Sequence, residues 1–218
     1  SATPSLIKYS QFNGLNANTI NSTNITGGLS FYNSKVEINN VQFKNALSED
    51  ALNLVRSPFL IKNTSFYKVS SDAIDLDFSD GEIINSNFEK VGNDSIDISG
   101  SNVKLTNLKV KFSGDKAISV GERSRVFAQN ILVDNAFIGI ASKDLSNISL
   151  KNLKVNNVSF CLAAFEKKKE YGPGFIKLDK SDLKCKSNYI LESGSSISFK
   201  EYPLLPNTND AYSEIYDR

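Results

Sequence analysis

The chain has 218 residues and 40% apolar content, enough for one domain or one elongated stack with a core of its own. A net charge of +1 gives no global attraction to nucleic acid or acidic surfaces, and no apolar run reaches the roughly 18–20 residues a membrane span needs. There is no His, which excludes Ser-His-Asp and Cys-His catalysis and any His-ligated metal; acid–base work falls to carboxylates, Lys, Arg or Tyr.

The first strand-like piece, Leu6-Ile7-Lys8-Tyr9-Ser10-Gln11-Phe12, matches Leu60-Ile61-Lys62-Asn63-Thr64-Ser65-Phe66 in pattern. The chain therefore begins inside a repeat, as a mature or excised piece would, and residues 13–28 form a polar excursion before the next strand. Asn-x-Ser/Thr triplets such as Asn21-Ser22-Thr23 occur, as they do by chance in Asn-rich sequence. From there the chain repeats itself. Leu52, Ile74, Ile96, Ile118, Ile140 and Leu162 stand at intervals of 22, each within a short run of strand alternation such as Ala73-Ile74-Asp75-Leu76. A second run, seen as Val36-Glu37-Ile38 or Val103-Lys104-Leu105, precedes a column of Asn at 40, 63, 85, 107, 130 and 152. Three residues past each Asn a large apolar residue returns: Phe43, Phe66, Phe88, Val110, Val133, Val155. Turn formers separate the runs.

Three short strands per ~22 residues describe one rung of an all-β right-handed parallel β-helix, a solenoid of about eight rungs. Rungs stack at about 4.8 Å, so each residue lies on its counterpart one rung away, and the Asn column forms a corner ladder. A leucine-rich repeat shares the period but needs a different Asn placement and a helical or extended convex run, which this chain lacks. The expected organisation is one β-helix over 1–199 with a capping tail over 200–218. Cys161 and Cys185 lie 24 apart, in different phases of the repeat, and are expected to be buried free thiols rather than a stacked pair. Residues 166–174 widen one rung into a charged loop around Lys167-Lys168-Lys169, a solvated loop in the plainest reading.

The repeat breaks toward chemistry in its middle rungs. The outward position of the first strand reads Asn53, Asp75, Asp97, Ser119, Ala141, Ala163, and the corner before it reads Asp50, Asp72, Asp94, Lys116. Asp77 adds a further acid, and Arg123 stands in a flanking turn. Stacked carboxylates about 5 Å apart repel by roughly 3 kcal/mol at an effective dielectric near 20. A bound Ca²⁺, a shared proton or the neighbouring cations would offset this, and oxygen ligands without His or Cys select a hard cation. A carboxylate pair at that spacing also resembles a retaining glycosidase, with a raised pKa on one member supplying the acid. The plain alternative is turn chemistry, with each Asp bonding local backbone N–H groups on a solvated face.

The segments Asp72-Ala73-Ile74-Asp75-Leu76-Asp77-Phe78-Ser79-Asp80-Gly81, Gly92-Asn93-Asp94-Ser95-Ile96-Asp97-Ile98-Ser99-Gly100-Ser101 and Gly114-Asp115-Lys116-Ala117-Ile118-Ser119-Val120-Gly121-Glu122 resemble the parallel β-helix domains of the pectate-lyase-like superfamily, as found in large secreted bacterial proteins. The resemblance covers about residues 30–195. It implies a shallow groove on the first sheet for acidic polysaccharide. Ca²⁺ would be held by Asp72, Asp75, Asp94 and Asp97, the proton-abstracting base would be Lys116 or Arg123, and Asp77, Asp97 and Lys143 would contact substrate. The His-containing signatures of polygalacturonases and mannuronan epimerases are absent. The leading expectation is a secreted or cell-surface, monomeric module that binds acidic polysaccharide and cleaves it if it is a Ca²⁺-dependent lyase or a carboxylate-based hydrolase. The alternative is a non-catalytic stalk that interacts with other domains of a larger protein. Neither reading involves nucleic acid.

Overall fold

A computed structural model describes residues 3–20 and 23–217; Ser1, Ala2, Asn21, Ser22 and Arg218, and with Asn21 and Ser22 the triplet named above, lie outside the described residues. The chain is a right-handed β-solenoid of about eight turns. Each rung contributes a strand to three parallel sheets, and the register matches the periodicity read from sequence. Leu52 pairs with Ile74 and Ile74 with Ile96 on the first sheet. Ile118 continues to Ile140 and Leu162. On the third sheet Phe12, Phe43, Phe66 and Phe88 stack face to face, with centroids 5.2, 4.7 and 5.1 Å apart. Rung spacing dictates that stack, because identical rings on adjacent parallel strands can only lie over one another.

The corners are polar ladders. Asn40, Asn63, Asn85, Asn107, Asn130 and Asn152 all take the left-handed backbone conformation that turns the chain between sheets, where Asn is one of the few tolerated side chains. Their amides bond up the stack, Asn107 to Asn85 at 2.9 Å, Asn130 to Asn107 at 2.8 Å and Asn152 to Asn130 at 2.8 Å. A second ladder, unforeseen from sequence, runs inside the corner that follows the first sheet. Ser57, Ser79, Ser101 and Ser124 each donate a backbone N–H to the hydroxyl of Ser79, Ser101, Ser124 and Ser146 on the next rung, at 2.7–3.1 Å. These serines are fully buried, so each hydroxyl satisfies a backbone group that water cannot reach.

Cys161 and Cys185 form a disulfide, against the expectation of free thiols. Their phases do differ, but a register shift between Asn156 and Val158 lets the last long strand, Ser181–Leu191, slip relative to Asn147–Phe165. The slip brings the two Cα atoms to 5.7 Å. The tail pairs Tyr202–Pro203 antiparallel to Ser196–Phe199 on the last rung, and Asn207 and Thr208 donate to the Leu191 carbonyl. It then forms a short helix, Ala211–Tyr216, that the sequence did not suggest. Asp210 caps it, accepting from the Ser213 N–H at 3.0 Å. Among the described residues no helix is long and apolar enough to cross a membrane.

Candidate functional site

The site lies on the outer face of the first sheet. Register places Ser30, Asn53, Asp75, Asp97, Ser119, Ala141, Ala163 and Ile190 in one outward column, one rung apart. Beside it the corner residues form a chain of charge-assisted bonds. Asp72 Oδ1 accepts from the Asp94 N–H at 2.8 Å and from Asn93 Nδ2 at 2.7 Å, and Asp94 Oδ1 accepts from the Lys116 N–H at 2.8 Å. The Lys116 ammonium pairs with Asp115 and lies 3.7 Å from Asp94. Lys143 lies across Gly121, where an added Cβ would stand 3.1 Å from its Cε, and reaches down to Ser119 Oγ at 2.6 Å and Asp97 at 3.7 Å.

Asp72, Asp75, Asp77, Asp94, Asp97, Lys116 and Lys143 are thus brought onto one face. Arg123 stands apart, its guanidinium over the Tyr171 ring at 5.4 Å, and it forms no ion pair with these aspartates among the described residues.

The two outward aspartates have opposite proton affinities. Burial, reinforced by the charges of Asp77, Asp50, Asp97 and Asp72, pushes Asp75 up to about 9. Asn53 Nδ2 donates to its Oδ2 at 2.9 Å. Burial also raises Asp97, but Lys143, the Ser119 hydroxyl, Lys116 and Lys167 outweigh it and hold that carboxylate below the ordinary range. Asp75 is therefore a carboxylic acid at neutral pH and Asp97, one rung away, a carboxylate. Burial raises Asp50 and Asp72 to about 6 and Asp94 to about 7, each only partly offset by hydrogen bonds or by Lys116. Burial also works against the Lys116 ammonium, but Asp94, Tyr216 and Asp115 keep its pKa above the ordinary value. Lys116 therefore stays protonated, and it holds charge rather than offering a free amine.

The four carboxylates expected to hold Ca²⁺ are engaged by protein donors instead. Asp72 and Asp94 accept backbone N–H bonds, Asp75 accepts from Asn53, and Asp97 faces Lys143. Among the described residues no three or more acidic side chains are grouped to hold a metal ion. The donor set, with two lysines inside it, does not fit a hard divalent cation.

Within the outward column Asp75 and Asp97 are the partly exposed positions between Asn53 and Ser119, while Ser30, Val55 and Tyr32 keep the face open on earlier rungs. At the N-terminal side of the Asp75–Asp97 pair Asn53 and Asp50 are each only 3% exposed. The excursion returns there: Thr26 bonds the Asp50 side chain, and Gly27 lies against Ser30 and the Asn53 Cβ. At its C-terminal side the helix seats Ala211 and Ile215 on Ala141, Ala163 and Ile190. The Tyr216 ring stands 5.2 Å from Lys116 Nζ and 5.1 Å from Lys167 Nζ. The widened loop is tied to the same end, because Asp144 Oδ1 accepts the Lys167 and Lys168 N–H groups at 2.9 and 2.6 Å and Lys168 pairs with Glu122. Among the described residues Asn53 Oδ1, Asp144 Oδ2 and the Tyr216 hydroxyl are buried side-chain atoms without a hydrogen-bond partner. Tyr216 and Lys167 were invisible to the repeat because both belong to inserted segments. Asn53 lay in the column, but its burial could not be read from spacing.

The chain matches the family described as right handed beta helix region over residues 48–201. Comparison with curated proteins finds no match.

Proposed function

The chain belongs to the right-handed beta helix family, and from that premise we propose that its Asp75–Asp97 face is a glycan-binding slot with the constitution of a retaining glycoside hydrolase. One observation carries this reading: Asp75 and Asp97 stand opposite each other on adjacent rungs in unlike surroundings. Asp75 is bonded by the Asn53 amide among other acids and Asp97 is paired with Lys143, which favours a proton on the first and a charge on the second. Rungs stand about 4.8 Å apart, close to the roughly 5–5.5 Å of a retaining pair. Asp75 donates its proton to the glycosidic oxygen as the bond from that oxygen to the sugar's C1 breaks. Asp97 forms an ester to C1. Water then attacks C1, losing its proton to the Asp75 carboxylate, and Asp97 leaves as a carboxylate.

The charge around the slot bears on the substrate. Asp50, Asp72, Asp75, Asp77, Asp94 and Asp97 surround it, with Asp115 and Glu122 at its edge, against Lys116, Lys143, Lys167 and Lys168. Acids outnumber ammonium groups, so a neutral or amine-bearing sugar suits it better than the acidic polysaccharide expected from sequence; a uronate would need a bridging cation. The test is incubation with neutral, amino and uronate oligosaccharides, with Ca²⁺ or with chelator. The expected result is a hydrolysis product of retained anomeric configuration, indifferent to Ca²⁺ and lost in both Asp75→Asn and Asp97→Asn. Unsaturated uronate products formed only with Ca²⁺ would overturn it in favour of a lyase. Absence of any glycan binding would leave the stalk module.

A further inference from the structure

We infer that the outer face of the second sheet carries a groove for a sulfated glycan chain, separate from the Asp75–Asp97 slot and independent of the reading given to it. The motive is a segregation of charge. Segments 102–113, 125–135, 147–159 and 175–187 lie in the second and third sheets of four successive rungs, and they hold ten Lys or Arg and three Asp. Their net of +7 leaves −6 for the rest of a chain whose total is +1. On the second sheet the outward column reads Glu82, Lys104, Phe127, Ser149, Lys177, Ser198. Ser149 is small between two long side chains. A depression of about 680 Å³ opens there, walled by Phe127 on one side and by Tyr202 of the tail on the other. A second depression, about 730 Å³, shares Phe127 and Ser149 and runs back over Arg125 and Lys104 to Gly81. The two make one groove along the stack, from the Gly81 rung to the Ser196 rung, about 24 Å long.

The lining fits a sugar polymer that bears fixed negative charge. Arg125, Lys151, Lys177 and Lys200 form no ion pair among the described residues, while Lys104 is paired with Glu82. Asp179 and Glu201 line only the tail end, so cations remain in excess along the groove. Four of its five cations are lysines, point charges that suit a tetrahedral sulfate; a planar carboxylate is matched by the arginine fork. The exposed Asn147 amide and Ser149 hydroxyl stand among them to meet sugar hydroxyls. Phe127 is 43% exposed and Tyr202 76%, and each offers a ring face. Phe127 stands three rungs from the strand that Tyr202 pairs with, too far for the two rings to stack successive bases of a single-stranded nucleic acid. The face of a sheet presents no free strand edge, so an acidic peptide finds no backbone there to pair with.

The experiment titrates the full chain, at low and at high salt, with dextran sulfate oligosaccharides of increasing length and with oligogalacturonate, polyglutamate and oligothymidylate of matched charge. Lys151→Glu with Lys177→Glu reverses charge inside the groove, and Lys35→Glu with Lys169→Glu makes the same change of net charge outside it; all four side chains are exposed, and circular dichroism checks that the β-helix is kept. The wild type should bind dextran sulfate, more weakly as salt rises, with affinity levelling off at about five sugar units, the length of the groove. The groove pair should weaken binding about tenfold or more and Phe127→Ser about threefold, while the outside pair and Asp75→Asn bind as the wild type does. Equal losses in the two double variants would reduce the effect to general charge and overturn the inference. Oligogalacturonate or polyglutamate bound as tightly as dextran sulfate overturns it too, and tighter oligothymidylate would assign the groove to nucleic acid instead. Loss of binding in Asp75→Asn would move the ligand to the slot, and no binding of dextran sulfate at low salt ends the inference outright. The slot reading is judged separately, by its own hydrolysis product.

Discussion

The lower and upper halves of the first sheet's outer face share backbone, register and rung spacing, yet one half is acidic and half-open while the other is apolar and covered. Asp75 and Asp97 occupy the same outward column as Ala141, Ala163 and Ile190. Inside the sheet the paired residues barely change, Ile74 and Ile96 below, Ile140 and Leu162 above. The inward column therefore reports stacking, and the outward column reports what the surface is for. The apolar half is explained by the helix it carries. Among the described residues no such element is seated on Asp75 and Asp97, and lysines from later rungs, Lys116 and Lys143, offset part of the charge at Asp94 and Asp97.

The largest effect should come from an inward position. Ile96→Ala, at a fully buried site in the stack, should lose about 3 kcal/mol in denaturant unfolding. A loss under about 1 kcal/mol would mean that the rungs are not close-packed there. Next in size is the transplant of the lower half's chemistry to the upper. Ala163→Asp buries a carboxylate beneath Ile215 and Ala211 and should cost about 2 kcal/mol of helix docking. Amide exchange in 211–216 should rise while the rungs stay protected. Lys143→Met should cost about 2 kcal/mol, less than for a fully buried pair because Asp97 keeps 28% of its side-chain exposure.

Asp75→Asn should act in the opposite direction. The folded pKa of Asp75, about 9, is raised above its unfolded value of about 4. Its contribution is therefore fully present below pH 4 and lost as pH rises through 9. The variant should match the wild type near pH 3.5 and exceed it by at least about 1 kcal/mol at pH 8. Asp50, Asp72 and Asp94, raised to about 6 or 7, add the same slope earlier, so wild-type stability should already decline between pH 5 and 7. A wild-type melting temperature that rises from pH 5 to 9 would contradict this sign.

The β-helix itself was legible because a parallel stack forces identity between residues one rung apart, and that constraint writes itself into spacing. Ile74, Phe66 and Asn107 could be placed from sequence for this reason. The serine ladder at 57, 79, 101, 124 and 146 carried the same period, but its residues doubled as ordinary turn formers. For the site, spacing placed Asp72, Asp75, Asp77, Asp94 and Asp97 together and could not tell which would hold a proton. That depends on Asn53, Lys143 and the burial supplied by segments outside the repeat. Tyr216 and Lys167 come from a helix and a loop with no period at all, and the Cys161–Cys185 bond depends on a slip that broke the period.

The central claim is that neighbouring rungs hold one acid and one carboxylate, and side-chain carboxyl carbon-13 NMR across pH tests it most directly. Asp97 should titrate below the ordinary aspartate range, while Asp75 stays protonated through neutrality with a midpoint near 9. Two carboxyls titrating together near pH 4 would contradict the account, because the face would then be an ordinary solvated surface with no member able to supply a proton.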